Sequence, residues 1–119
     1  MSRKLDAAIA EALGREVKFV DADFLIDKRL IIPGVWKYFT GDGWTAIPYY
    51  STDGNAMLEL DREMRAREWR LHLSRVDKAW RARYIRGEKD AYVRFGDTMP
   101  EAVALSAYNS LTDGKEVQP

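Results

Sequence analysis

Between Ser2 and Gly14 the apolar residues Leu5, Ile9, Ala12 and Leu13 recur at helical spacing. That period predicts a first helix, with Ser2 placed to cap its start and Gly14 to stop it. From Glu16 to Pro48 the pattern changes to β-branched and aromatic residues in the segments VKFV, FLIDKRLII and VWKYFT. Asp, Pro-Gly and Gly-Asp-Gly punctuate them, so they read as strands or long hairpin arms, with a turn at Thr40-Gly41-Asp42-Gly43.

A second helix is marked by the potential caps Ser51, Thr52 and Asp53, followed by the apolar stripe Met57, Leu60 and Met64. Its charges suit a helix: Asp61 with Arg65 and Glu63 with Arg67 stand at i, i+4, with the arginines toward the negative end.

The alternation from Trp69 to Phe95 predicts a three-stranded antiparallel meander. A two-residue turn at Asp77-Lys78 pairs Leu73 with Ala82 and Leu71 with Tyr84. A second two-residue turn at Gly87-Glu88 pairs Ala82 with Val93 and Trp80 with Phe95. On that register Leu71, Leu73, Trp80, Ala82, Val93 and Phe95 share one buried face. A third helix then opens at Thr98 and Glu101, a capping box with Pro100 in the first turn, and continues through AVALSAYNSL. Ala104, Leu105, Tyr108 and Leu111 are its expected core contacts, and its breadth of apolar surface predicts the most buried helix. The polar tail DGKEVQP, from about residue 113, reads as loose.

These elements add up to one α+β, sandwich-like domain: a mainly antiparallel sheet that includes the meander, packed by about three helices. A chain of 119 residues, 46% apolar or aromatic, suits a single core. Lys and Arg number 19 and Asp and Glu 19, so the formal net charge is zero and any electrostatic function is local. With no cysteine there is no disulfide, no thiolate chemistry and no common zinc cluster, and a reducing cytoplasm is the expected compartment. The start MSRKLDAAIAEALGRE is broken by Asp6 and Glu11, and no stretch reaches the roughly 20 apolar residues of a membrane span. Neither export nor membrane insertion is expected.

Several phrases carry a family resemblance. They are LDAAIAEALG in the first helix, Trp36 and Trp44 ahead of Pro48, Pro48-Tyr49-Tyr50-Ser51-Thr52-Asp53 before the second helix, and Asp97-Thr98-Met99-Pro100-Glu101-Ala102-Val103-Ala104-Leu105 before and into the third. In this order and spacing the chain resembles the phage ABA-sandwich domain family, small proteins of phages and prophages. The resemblance implies helices packed around a sheet and transfers no catalytic residue. DADFLIDKRLII, Asp21 to Ile32, reads as an insertion relative to it.

Candidate chemistry is sparse. His72, the single histidine, has no motif partner for a triad. Asp21, Asp23 and Asp27 lack the glycine and terminal acid of a calcium loop and read as turn or edge-strand carboxylates. Gly41-Asp42-Gly43 is too short for a phosphate loop. Tyr49 and Tyr50 cannot both face the core in extended chain, so one of them is a candidate interface aromatic. The most informative set is the meander's outward face: Arg70, His72, Arg81, Arg83, Tyr92 and Arg94. On the register above Arg81 opposes Arg94 and Arg83 lies between His72 and Tyr92, an arrangement that calls for covering carboxylates, an anionic ligand or an acidic partner. Helices on both sides of the sheet, as the family name implies, would favour covering.

No cofactor or catalytic set is read from the residues. The expected function is that of a non-catalytic phage or prophage accessory protein in the bacterial cytoplasm, binding a host or phage protein. The alternative is a nucleotide or nucleic-acid binder using the arginine face.

Overall fold

A computed structural model of the chain describes residues 3–20, 23–24, 31–32, 35–39, 41, 43–87 and 90–114. Helix α1 spans Arg3–Ala12, followed by strands β1 (Val17–Val20), β2 (Asp23–Phe24), β3 (Ile31–Ile32), β4 (Val35–Phe39) and β5 (Trp44–Ala46). Helix α2 covers Gly54–Ala66, then come β6 (Arg70–Val76), β7 (Ala79–Arg86) and β8 (Asp90–Gly96), and helix α3 (Met99–Thr112). The fold is α+β, with antiparallel sheets ordered β1-β4-β5 and β6-β7-β8 and a small β2-β3 ribbon. Val20 pairs with Val35, so residues 21–34 form the long connection of a hairpin whose strands meet directly. Residues 25–30, most of the FLIDKRLII arm expected to be extended, lie outside the described residues, as do Asp21, Asp27, Thr40 and Asp42.

The helices sit between the two sheets. α3 packs on β7 and β8 and also meets α1 and α2, while α1 reaches β1 and β4. This central position explains why α3 is apolar around most of its circumference. Its fully buried residues are the small ones, Ala102, Val103, Ala104, Ser106 and Ala107, which let neighbours approach closely. Leu105, Tyr108 and Leu111 are half-buried and pack at the margin of the core. Trp69, Tyr50, Tyr84, Leu5, Ile9 and Leu60 fill the rest.

The helix ends follow their residues. Asp53 caps α2, accepting from the Ala56 N–H at 3.1 Å, and Thr98 caps α3, accepting from the Glu101 N–H at 3.3 Å. α2 ends in a Schellman motif: Glu68 N–H donates to Arg65 C=O and Trp69 N–H to Met64 C=O, with Glu68 at φ 70°. Asp61 and Arg65 pair at 2.8 Å as their spacing predicts. Glu63 and Arg67 do not form the expected ion pair. The Glu63 carboxylate instead takes Arg15 at 2.8 Å, and Arg67 donates to the carbonyls of Glu63 and Leu13. Tertiary partners outcompete an exposed i, i+4 pair worth only about 0.2–0.5 kcal/mol.

The loose tail also needs correction at its start. Asp113 is the left-handed cap of α3 at φ 58°; Gly114 N–H donates to Asn109 C=O and the Tyr92 hydroxyl donates to Asp113. Residues 115–119 lie outside the described set.

Candidate functional site on the open sheet face

The first hairpin of the meander has the expected register, with Val76 paired to Ala79 and Leu73 to Ala82. The second is shifted by one residue. Arg86 pairs with Asp90, so three residues, Gly87 and the two after it, separate the strands, and Gly87 turns the chain at φ 66°. The two-residue turn expected at Gly87-Glu88 is therefore wrong, and a shift of one residue exchanges the faces of a whole strand. Ala82 pairs with Arg94 and Tyr84 with Tyr92 on the helix side, while Arg83 pairs with Val93 and Arg81 with Phe95 on the other.

Val93 and Phe95 are thus not core residues as expected. They are 37% and 53% exposed. Tyr92 and Arg94 leave the candidate surface and turn toward α3, where the Tyr92 ring meets Trp69 and Arg94 donates to the Asn109 side chain at 2.9 Å. The shift also removes the expected Arg81 to Arg94 opposition, replacing a like-charge pair with arginine beside a phenyl ring.

The remaining four candidates stay together. Across the outward face Arg70 stands beside Ile85 and Ala91, His72 beside Arg83 and Val93, and Ser74 beside Arg81 and Phe95. Side chains two residues apart on β7 are separated by about 7 Å, so Arg81 and Arg83 are neighbours along the strand. No carboxylate occurs in these three rows. The side chains of Arg70, His72, Arg81 and Arg83 form no hydrogen bond, ion pair or ring contact with another described residue. All three helices lie on the opposite side, α3 against β7 and β8 and α2 against β6. The helix cover on both sides of the sheet implied by the family name is not what this sheet has: among the described residues its outer face is open.

Ile85, Val93 and Phe95 are the site residues that the sequence reading missed. For Val93 and Phe95 the choice lay in the loop, where Gly87-Glu88 suits a two-residue type II′ turn while three-residue hairpins with a glycine are the next most common; Ile85 is on the face of Arg81 and Arg83 by the alternation of β7 alone.

The candidate tyrosines separate. Tyr50 is 2% exposed, a core residue, and burial pushes its hydroxyl well above the usual range. Tyr49 is 54% exposed, with the Arg3 guanidinium 3.7 Å from its ring centre. That contact rests on a built support: Arg3 also pairs with the buried Asp6 and donates to the carbonyls of Ile47 and Pro48.

Beneath the open face the charge is internally balanced. The Tyr84 hydroxyl donates to Asp61 at 2.9 Å, and Arg65 holds the same carboxylate. Burial first, and then Asp61, push the Tyr84 hydroxyl far above its ordinary value. Among the described residues no three His, Asp or Glu side chains converge as metal ligands, and no helix is long and apolar enough to cross a membrane. Asp23 lies in β2, while Asp21 and Asp27 lie outside the described residues.

No protein-family model matches this chain, and no curated protein or solved structure is significantly similar to it.

Proposed function

We propose that the protein acts by binding, without catalysis, and that the outer face of β6-β7-β8 contacts an acidic protein surface. The observation that carries this is the pairing of Arg81 and Arg83, whose side chains have no partner among the described residues, with the exposed Val93 and Phe95 on one face. Arginine and aromatic residues in apolar surroundings are the composition of interface anchors. A partner that sets carboxylates over Arg81, Arg83 and Arg70 and apolar groups over Val93 and Phe95 relieves the charge and removes apolar surface from water together. The resemblance to the phage ABA-sandwich family supplies the setting: a phage or prophage accessory protein in the bacterial cytoplasm, with a host or phage protein as partner.

A nucleotide or nucleic-acid phosphate is the second reading, favoured by the lack of any carboxylate in the three rows. It fits less well, because among the described residues the face offers only two rings, Phe95 and the smaller imidazole of His72, on opposite edge strands, and base binding relies on stacking platforms.

The test is the double substitution Arg81→Glu, Arg83→Glu, compared with the unsubstituted chain in quantitative capture from infected-host lysate and in thermal shift with nucleotides. Retained folding with loss of a protein partner supports the reading. Capture that survives the double substitution overturns it, and a nucleotide-dependent rise in Tm that falls with salt favours the phosphate ligand instead.

A further inference from the structure

β8 is an edge of its sheet, and among the described residues nothing pairs with its side away from β7. A seven-residue strand at the edge of a sheet, with no described strand on its outer side, is a template for another strand. The two edges of the sheet differ in what they present on the outer face. β6 presents Arg70, His72 and Ser74, and charged or polar groups of this kind discourage strand addition. β8 presents Ala91, Val93 and Phe95, all exposed and all apolar.

We propose that β8 pairs antiparallel with β8 of a second copy of this chain, about a two-fold axis through Val93, to give one continuous six-stranded sheet. A two-fold contact requires a patch that complements itself, and β8 does so best in this register. Centring on Val93 engages the whole strand from Asp90 to Gly96. It sets Val93 against its own copy and Phe95 against Ala91 of the second copy, joining the two apolar rows into one stripe. On the helix side it sets Arg94 beside Tyr92 of the second copy, cation against ring. Moving the axis one residue toward Gly96 opposes Arg94 to itself, which costs energy. Moving it one residue toward Asp90 puts Phe95 beyond the end of the paired strand.

Charge selects this arrangement over stacking the open faces, which would bring arginines onto arginines. The chain's zero formal net charge adds no overall repulsion between copies. Arg81 and Arg83 stay uncovered one strand away, so the pairing places a basic surface on each side of the apolar stripe. The inference stands independently of the partner protein proposed above.

The chain has no cysteine, so a single introduced thiol reports on the axis directly. Directly opposed residues in an antiparallel pair have Cα atoms about 4.5–5.5 Å apart, within disulfide range. Val93→Cys is expected to cross-link to a covalent dimer under mild oxidation. Ala91→Cys, held about 14 Å from its copy by this register, is expected not to. Light scattering of the unsubstituted chain should approach twice 13.7 kDa with rising concentration, and Val93→Lys should return it to the single-chain mass with an unchanged circular dichroism spectrum. A chain that scatters as a monomer at every concentration overturns the proposal. So do equal cross-linking at positions 91 and 93 and a dimer in which Val93→Cys fails to cross-link.

Discussion

The Ser106 hydroxyl in α3 accepts a hydrogen bond from the backbone N–H of Tyr84 in β7, at 3.2 Å. The same hydroxyl donates to the Tyr92 carbonyl in β8, at 2.7 Å, so one helix side chain bridges two paired strands at the point where their register differs from the simplest expectation. Ser106 is fully buried. Ser106→Ala leaves a buried backbone donor and a part-buried acceptor without this partner and should destabilise the protein by about 1–3 kcal/mol. Urea unfolding measures it. A loss below about 0.5 kcal/mol, ordinary for a surface change, would mean the bridge contributes nothing.

Gly96 reports on the same register from the far end of β8. A Cβ built there would lie 2.7 Å from the backbone nitrogen of Ala102, which cannot move without shifting the start of α3. Gly96→Ala should therefore cost about 1–3 kcal/mol as overpacking. Equal thermal stability of the variant would show that α3 does not approach β8 this closely.

Glu68 occupies the left-handed position after α2 at φ 70°, where glycine is the residue without steric penalty. No hydrogen bond or ion pair holds its exposed side chain among the described residues. Glu68→Gly should stabilise the protein by about 1 kcal/mol, the left-handed penalty outweighing the extra freedom of glycine in the unfolded chain. A lowered denaturation midpoint would contradict this.

Alkaline pH should unfold the protein through its buried tyrosines. Tyr50 and Tyr84 ionise well above the ordinary value of 10.0 when folded, because burial disfavours the phenolate. Above pH 10 the unfolded chain therefore releases protons that the folded chain retains. The contribution of these groups is complete below pH 10 and is lost as pH rises toward their folded values, by up to about 1.4 kcal/mol per pH unit for each. Urea midpoints measured from pH 8 upward check the slope, and Tyr84→Phe should flatten it. The same substitution should cost about 1 kcal/mol at neutral pH by removing the bond to Asp61.

Local signals carried much of the architecture. The caps Asp53 and Thr98, the stripe Met57-Leu60-Met64 and the Asp77-Lys78 hairpin act within a few residues, and the structure contains each of them. Periodicity and caps are properties of neighbouring residues, so they are legible before any tertiary contact forms.

The face of β8 was decided differently. Its alternation YVRF supports either orientation, because Tyr92 and Arg94 are amphipathic while Val93 and Phe95 are apolar, and by sequence alone burying the latter pair is favoured. α3 reverses this choice: it supplies Asn109 to Arg94, Asp113 to Tyr92 and the Ser106 bridge to the backbone, bonds that only residues 14 to 21 positions away can make. The sequence by itself determined the helices, the first hairpin and the placing of Arg70, His72, Arg81 and Arg83 on one face. The tertiary structure decided that this face is open and that Val93 and Phe95 share it, because face and cover depend on which distant polar groups satisfy the strand.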